Sequence, residues 1–139
     1  MCVFTKCLQF LDYDRIGETL AKAGFDGADL AVRKGGNVEP EKIKTDLPKA
    51  VKALRKSGIS VPMMVSGINN PDDPLTEQVL ATAADQGLKY YRMGYLTYDP
   101  AKSIPENLDN HKKVFEKLQV LNQKYGIHGD YQNHSGTRV

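Results

Sequence analysis

Lys6, Asp29, Arg33, Arg92, Gln132, Asn133 and His134 fall where short apolar runs end, and Gln9 and Ser66 hold similar positions. Asp29 stands within Gly-Ala-Asp-Leu-Ala-Val, a run otherwise suited to a buried strand. A carboxylate there is costly unless paired, and Lys6 or Arg33 could pair it. Arg92, in Tyr-Tyr-Arg-Met-Gly, offers a planar fork of donors that suits a carboxylate or a phosphate. His134 follows the last strand-like run, whereas His128 precedes it and His111 belongs to a helical stretch as a surface or interface residue. If these runs are parallel strands, their ends lie on one face, and the polar set converges on a polar ligand. Other segments carry less. Gly35-Gly36 suggests a phosphate cradle, but the P-loop and dinucleotide fingerprints are missing, so a flexible loop is expected. Asn69-Asn70-Pro71-Asp72-Asp73-Pro74 reads as a loop and helix cap without the liganding pattern of a calcium loop.

The elements that must position these residues come from a unit that recurs four times. A helical stretch ends in glycine, an apolar residue follows, and a strand-like run comes next. The glycines are Gly24, Gly58, Gly87 and Gly126, followed by Phe25, Ile59, Leu88 and Ile127. The runs after them are Ala28–Val32, Val61–Val65, Tyr90–Met93 and Gly129–Gln132, and Cys2–Leu8 supplies a strand before the first helix. Ile43, Leu47, Val51 and Leu54 show helical spacing, as do Leu75, Val79 and Ala83, and then His111, Phe115 and Leu118. Asp14, Asp46, Asp73 and Ser103 are candidate N-caps, with Pro48 and Pro74 expected in first turns. The result is five strands alternating with four helices, which implies a parallel sheet.

A chain of 139 residues is enough for one domain. The formal charge is only +2, and Lys and Arg are interspersed with Asp and Glu, which argues against nucleic acid as a partner. No apolar run approaches the roughly 20 residues that span a membrane. Lys6, Asp12 and Asp14 interrupt any signal-peptide core, so a cytoplasmic protein is expected, or an exported one if a leader precedes Met1. Cys2 and Cys7 are expected on opposite strand faces as small apolar residues, unbridged and without a metal-thiolate pattern.

Two architectures fit this alternation, the doubly wound open sheet and the closed barrel. Length alone favours a flavodoxin-like sheet. The first strand, however, runs into Lys6-Cys7-Leu8-Gln9 instead of a glycine-rich turn. The polar strand ends match the face where barrels keep their chemistry.

Four segments together resemble the xylose-isomerase-like sugar phosphate isomerase/epimerase superfamily. They are Cys2–Lys6, Ala23–Leu30, Lys89–Tyr95 and Tyr131-Gln132-Asn133-His134-Ser135-Gly136. The resemblance implies a (β/α)₈ TIM barrel, of which residues 1–139 would form a single N-terminal half-barrel ending after strand five. It also implies a divalent cation at the C-terminal mouth and carboxylates that move a proton through an enediolate. The metal ligands in such proteins come from the ends of strands five to eight, and the first of them, a Glu, corresponds here to Gln132. An amide can ligate through oxygen but carries no charge and is no general base near neutral pH. His134 is the alternative donor, and the remaining ligands would lie beyond Val139.

The expected function is therefore the substrate-facing first half of a metal-dependent sugar or sugar-phosphate isomerase/epimerase, inactive as this chain alone. Lys6, Asp29, Arg33, Arg92, Asn133 and His134 are the expected substrate-binding residues, with no catalytic residue assigned. The alternative is a non-catalytic carbohydrate-binding or oligomerising half-barrel, self-associating through exposed barrel edges. Gln132 in place of a carboxylate favours that alternative, and the Lys6, Asp29, Arg33 and Arg92 set favours the enzyme.

Overall fold

Each repeat turns on a glycine in the left-handed conformation. Gly24, Gly58, Gly87 and Gly126 have φ of 79°, 77°, 78° and 61°. The next residue donates its N–H to the carbonyl five positions back: Phe25 to Leu20, Ile59 to Leu54 and Leu88 to Ala83 at 3.0 Å, and Ile127 to Asn122 at 3.1 Å. This closure folds the apolar side chain onto the helix end and starts the chain back towards the sheet. Ile59, Leu88 and Ile127 are buried there, and Phe25 packs partly buried against the core.

The computed structural model describes residues 1–133. The order is β1 (Cys2–Phe4), a 3-10 turn (Thr5–Leu8), α1 (Tyr13–Lys22), β2 (Gly27–Val32), a 3-10 turn (Pro40–Lys42), α2 (Ile43–Lys56), β3 (Ser60–Ser66), α3 (Pro74–Asp85), β4 (Tyr90–Arg92), α4 (Ile104–Tyr125) and β5 (His128–Asp130). The five strands are parallel and lie in the order β1-β2-β3-β4-β5. A doubly wound sheet would have placed β1 between later strands, so the sequential order decides for the barrel wall. The helices pack α1 on α2, α2 on α3 and α3 on α4, which sets all four in one layer.

Strand alternation divides the residues between that layer and the opposite face. Ala28, Leu30 and Val32 of β2, Met64 of β3 and Tyr91 of β4 join the helix-side core with Ile16, Leu47, Leu54, Leu80 and Leu118. Tyr91 is fully buried, and its hydroxyl donates to Asn122 Oδ1 at 3.0 Å in α4. Burial pushes that phenol up to about 12. The opposite face carries two rungs set by register. Phe4, Asp29, Met63, Tyr90 and His128 form the first, and Ala31, Val65, Arg92 and Asp130 the second, nearer the C-terminal end.

Several sequence expectations need correction. The first strand stops at Phe4, because Thr5 turns inward: its Oγ1 accepts from Ala31 N–H at 3.0 Å and donates to Asn37 Oδ1 at 2.6 Å. Cys7 lies in the 3-10 turn that follows rather than in a strand, and both cysteines are exposed. Asp12, not Asp14, caps α1 by accepting from Arg15 N–H at 2.8 Å. Asp46 lies in the first turn of α2, where Lys42 holds the N-cap position without a side-chain bond, and Pro48 lies inside the helix beyond its first turn. Asp73 and Ser103 do cap α3 and α4, Ser103 through a reciprocal capping box with Glu106. The last strand is His128–Asp130, so Gln132 follows it. His134 and Val139 lie outside the described residues.

Candidate functional site

The C-terminal ends of β2, β3 and β4 open into a cleft of about 450 Å³. Arg33, Ser66, Asn69, Arg92, Tyr95 and Thr97 are among its lining residues. Backbone contacts between two loops build it. Gly94 N–H donates to Ile68 O at 2.8 Å, and a Cβ at Gly94 would stand 2.5 Å from Gly67 O, so only glycine lets these loops approach. Asn69 Nδ2 donates to Tyr95 O at 2.9 Å across the same junction. Ser66, buried, donates to Arg92 O at 2.8 Å and accepts from Ile68 N–H at 3.2 Å. Its hydroxyl holds the backbone of the rim.

Arg92 is the centre of the arrangement. Its Cζ lies 5.6 Å from the Phe4 ring centroid and 5.7 Å from that of Tyr95. Its Nη1 donates to Gln132 Oε1 at 2.9 Å, while its Nε is shielded from water and has no acceptor among the described residues. Arg33 reaches the same ring, its Cζ 5.6 Å from the Phe4 centroid. Phe4 belongs to β1 and Arg92 to β4, three strand spacings or roughly 14 Å apart in a flat sheet. Their side chains reach towards each other across β2 and β3 on this face.

Asp29 sits one rung deeper, within β2 rather than at its end, and is half-buried. Burial pushes its carboxyl above the usual carboxylate range. Neither Lys6 nor Arg33 forms an ion pair with it among the described residues, contrary to the expected pairing. Lys6 is exposed in the 3-10 turn after β1, and Gln9 donates through Nε2 to Gly35 O, tying that turn to the loop after β2. The Gly35-Gly36 loop is further braced by Gly35 N–H to Glu39 Oε1 at 2.9 Å.

The structure thus brings together Arg33, Arg92 and Gln132 at the mouth, with Asp29 below them. Asn133 does not join them: it lines a second cleft with Leu96, His111, Phe115 and Tyr131 along α4. His111, in α4 as expected, is half-buried, with Nε2 3.3 Å from Thr97 O. Phe4, Asn69 and Tyr95 were missed by sequence reasoning. Phe4 precedes Lys6 by two residues, so strand alternation alone could have placed it on the inner face.

The described residues do not by themselves fit a divalent cation. No group of three His, Cys, Asp or Glu stands together among them, and Gln132 Oε1 already accepts from a guanidinium.

The chain has the fold of about half of a TIM barrel, as the solved structures similar to it show. It superposes on a protein of Rhodospirillum rubrum assigned as a xylose isomerase with a TM-score of 0.67 at 16% identity, over 91% of this chain and 51% of that one. A D-psicose 3-epimerase crystallised with D-fructose gives 0.62 at 14% identity, over 92% and 50%. The 3-keto-D-glucoside 4-epimerase of E. coli gives 0.63 at 16% identity, over 92% and 53%. The chain spans about half the length of these structures. No protein-family model matches the sequence, and no curated protein matches it.

Proposed function

We propose that this chain forms the substrate-facing half of a sugar isomerase or epimerase site. The observation that carries the reading is the convergence of Arg33, Arg92 and Gln132 above Asp29 at the C-terminal mouth of a barrel wall. The superposed isomerase and epimerases support the general kind of reaction by fold. In this reading, Arg33, Arg92 and Asn69 hold polar groups of the sugar, while Phe4 and Tyr95 offer apolar surface to its carbon skeleton. Lys6 guards the rim from the turn after β1. The carboxyl of Asp29, its pKa raised by burial, accepts a hydrogen bond from a sugar hydroxyl. The chemistry is proton transfer between adjacent carbons through an enediolate. A divalent cation would stabilise the charge that develops, and its donors belong outside the described residues, His134 among the candidates.

The test is a titration of the isotopically labelled chain with D-fructose, followed by backbone and side-chain NMR. Shifts gathered at Arg33, Asn69, Arg92 and Tyr95 are expected. Shifts centred on the α4 cleft around Phe115, or none at all, would sink the assignment.

A second reading is favoured by Gln132, whose amide oxygen is turned to Arg92 rather than offered to a metal. On that reading the half-barrel is a non-catalytic carbohydrate-binding or self-associating module. Among the described residues β1 and β5 each have a partner on one side only, and Tyr90 is 46% exposed on the inner face, as an associating surface requires. Sedimentation equilibrium distinguishes it, since a stable dimer without sugar binding supports the module.

A further inference from the structure

The mouth cleft shares a wall with another opening. A cleft of about 230 Å³ lies beyond the β2 and β3 ends on the helix side, between the 3-10 turn Pro40–Lys42 and the start of α3. Arg33, Gly67 and Asn69 line both clefts. Gly67 contributes no side chain to this partition, and within 4 Å a Cβ there would meet only Arg33 Cβ, at 3.9 Å. The partition is therefore low where Gly67 stands. The other two residues turn their polar ends to the mouth. Arg33 Cζ lies 5.6 Å from the Phe4 centroid, and Asn69 Nδ2 donates to Tyr95 O at 2.9 Å. Their carbon stems are what remains for the outer cleft.

The rest of the outer cleft is apolar where it is deep. Val32, Ile68 and Val79 are buried at its floor, and Leu75 is half-buried beside them. The polar groups around it are engaged with one another. Asp73 Oδ1 accepts from Leu75 N–H at 2.8 Å, and Asn70 Oδ1 accepts from Asp72 N–H at 3.0 Å. Thr76 Oγ1 donates to Asn70 O at 2.7 Å. Lys34 and Glu41 are exposed at the rim. What the cleft offers a ligand is apolar surface, adjoining the sugar site across Gly67. A cavity of roughly 150 Å³ lined by apolar side chains accepts benzene. The outer cleft, at about 230 Å³, has room for a ring of that size, and burying one removes apolar surface from water on both sides.

We infer that the outer cleft is a subsite for an apolar aryl or alkyl substituent, so that the site takes a sugar bearing such a group, for example an aryl glycoside, in preference to the bare sugar. The inference rests on the reading of the mouth cleft as a sugar site and narrows its substrate class. The two clefts divide the ligand by polarity: hydroxyls lie against Arg33, Asn69 and Arg92, and the substituent passes over Gly67 to Leu75 and Val79.

The experiment is calorimetric titration of the whole chain with D-fructose, with methyl and phenyl D-glucopyranosides as both anomers, and with phenol, followed by NMR of the labelled chain. One phenyl glucoside is expected to bind at least about tenfold more tightly than phenol and than the methyl glucoside of the same anomer. Its shifts should include Leu75 and Val79 as well as Arg92 and Tyr95. Gly67→Leu raises the partition, and Leu75→Gln puts an amide in the apolar wall. In both, the ratio of phenyl to methyl affinity is expected to fall towards one. Gly67 has room for the new Cβ, and circular dichroism of each variant reports whether it folds. Equal affinity for phenyl and methyl glucosides, with shifts at Arg92 and Tyr95, overturns the inference and leaves the sugar site standing. A phenyl preference untouched by both substitutions, or shifts at Phe115 in place of Leu75, puts the ring elsewhere and overturns it as well. Phenyl glucosides that bind no more tightly than phenol, without shifts at Arg92, overturn the sugar reading together with the inference. Failure of every probe to bind does the same.

Discussion

Asp29 and Arg92 are both ionisable groups on the inner face, but their surroundings treat them differently. Arg92 is held by two rings and the Gln132 amide, whereas Asp29 is desolvated with no cation paired to it among the described residues. A carboxyl with a folded-state pKa above its unfolded value binds its proton more tightly in the native chain. Its contribution to stability is therefore full below the ordinary Asp range of about 3.9 and is lost as pH rises through the folded value. Asp29→Asn should raise the denaturation midpoint at pH 7, with the gain disappearing as the pH falls below that range. A gain independent of pH, measured by urea denaturation across the acid range, would contradict this account. Arg92→Ala should cost about 1 kcal/mol of stability, from the lost ring and amide contacts. The same substitution should weaken binding of the preferred sugar by about tenfold or more. A large stability loss with unchanged binding would mark Arg92 as structural.

The elements depend on glycine in two distinct ways. Gly126 closes α4 at φ 61°, and a Cβ there would meet nothing within 4 Å. Gly126→Ala should therefore cost only the left-handed backbone penalty, about 1 kcal/mol, and leave the cleft intact. Gly94 has the opposite problem, since its Cβ would collide with the Gly67 carbonyl. Gly94→Ala should cost more than Gly126→Ala and should also weaken sugar binding, because the β3 and β4 loops must separate. Thermal melts with ligand titrations on both variants check the contrast. If Gly94→Ala proves as mild as Gly126→Ala, the two loops do not constrain the cleft.

At the scale of the whole molecule, five sequential parallel strands and one helix layer make a barrel wall whose inner face bears the polar groups. The superposed proteins are about twice as long. The described donors are too few and too neutral for tight cation binding, since amide oxygens compete poorly with water. Residues 1–139 alone should bind Mn²⁺ weakly and show no proton exchange on ketose sugars. Stoichiometric tight binding in calorimetry, with solvent deuterium entering the sugar, would overturn this ligand count. No helix among the described residues is long and apolar enough to cross a membrane.

The repeat was legible in the sequence because it is local. Gly24, Gly58, Gly87 and Gly126 each close a helix within six residues, and that short-range geometry sets the number and order of elements. The placing of Arg92 and Ser66 at strand ends followed from parallel connections. Tertiary structure decided the rest. Side-chain reach through space sets Phe4 of β1 against Arg33, just beyond the adjacent β2, and against Arg92 of β4, three strands away, a separation that periodicity cannot measure. Tertiary structure also removed Asn133 to the α4 cleft and left Asp29 without the cation expected beside it. Pairing of charges depends on distances through space, set by register and curvature. A strand's own residues fix which face a side chain takes, but not what it meets there.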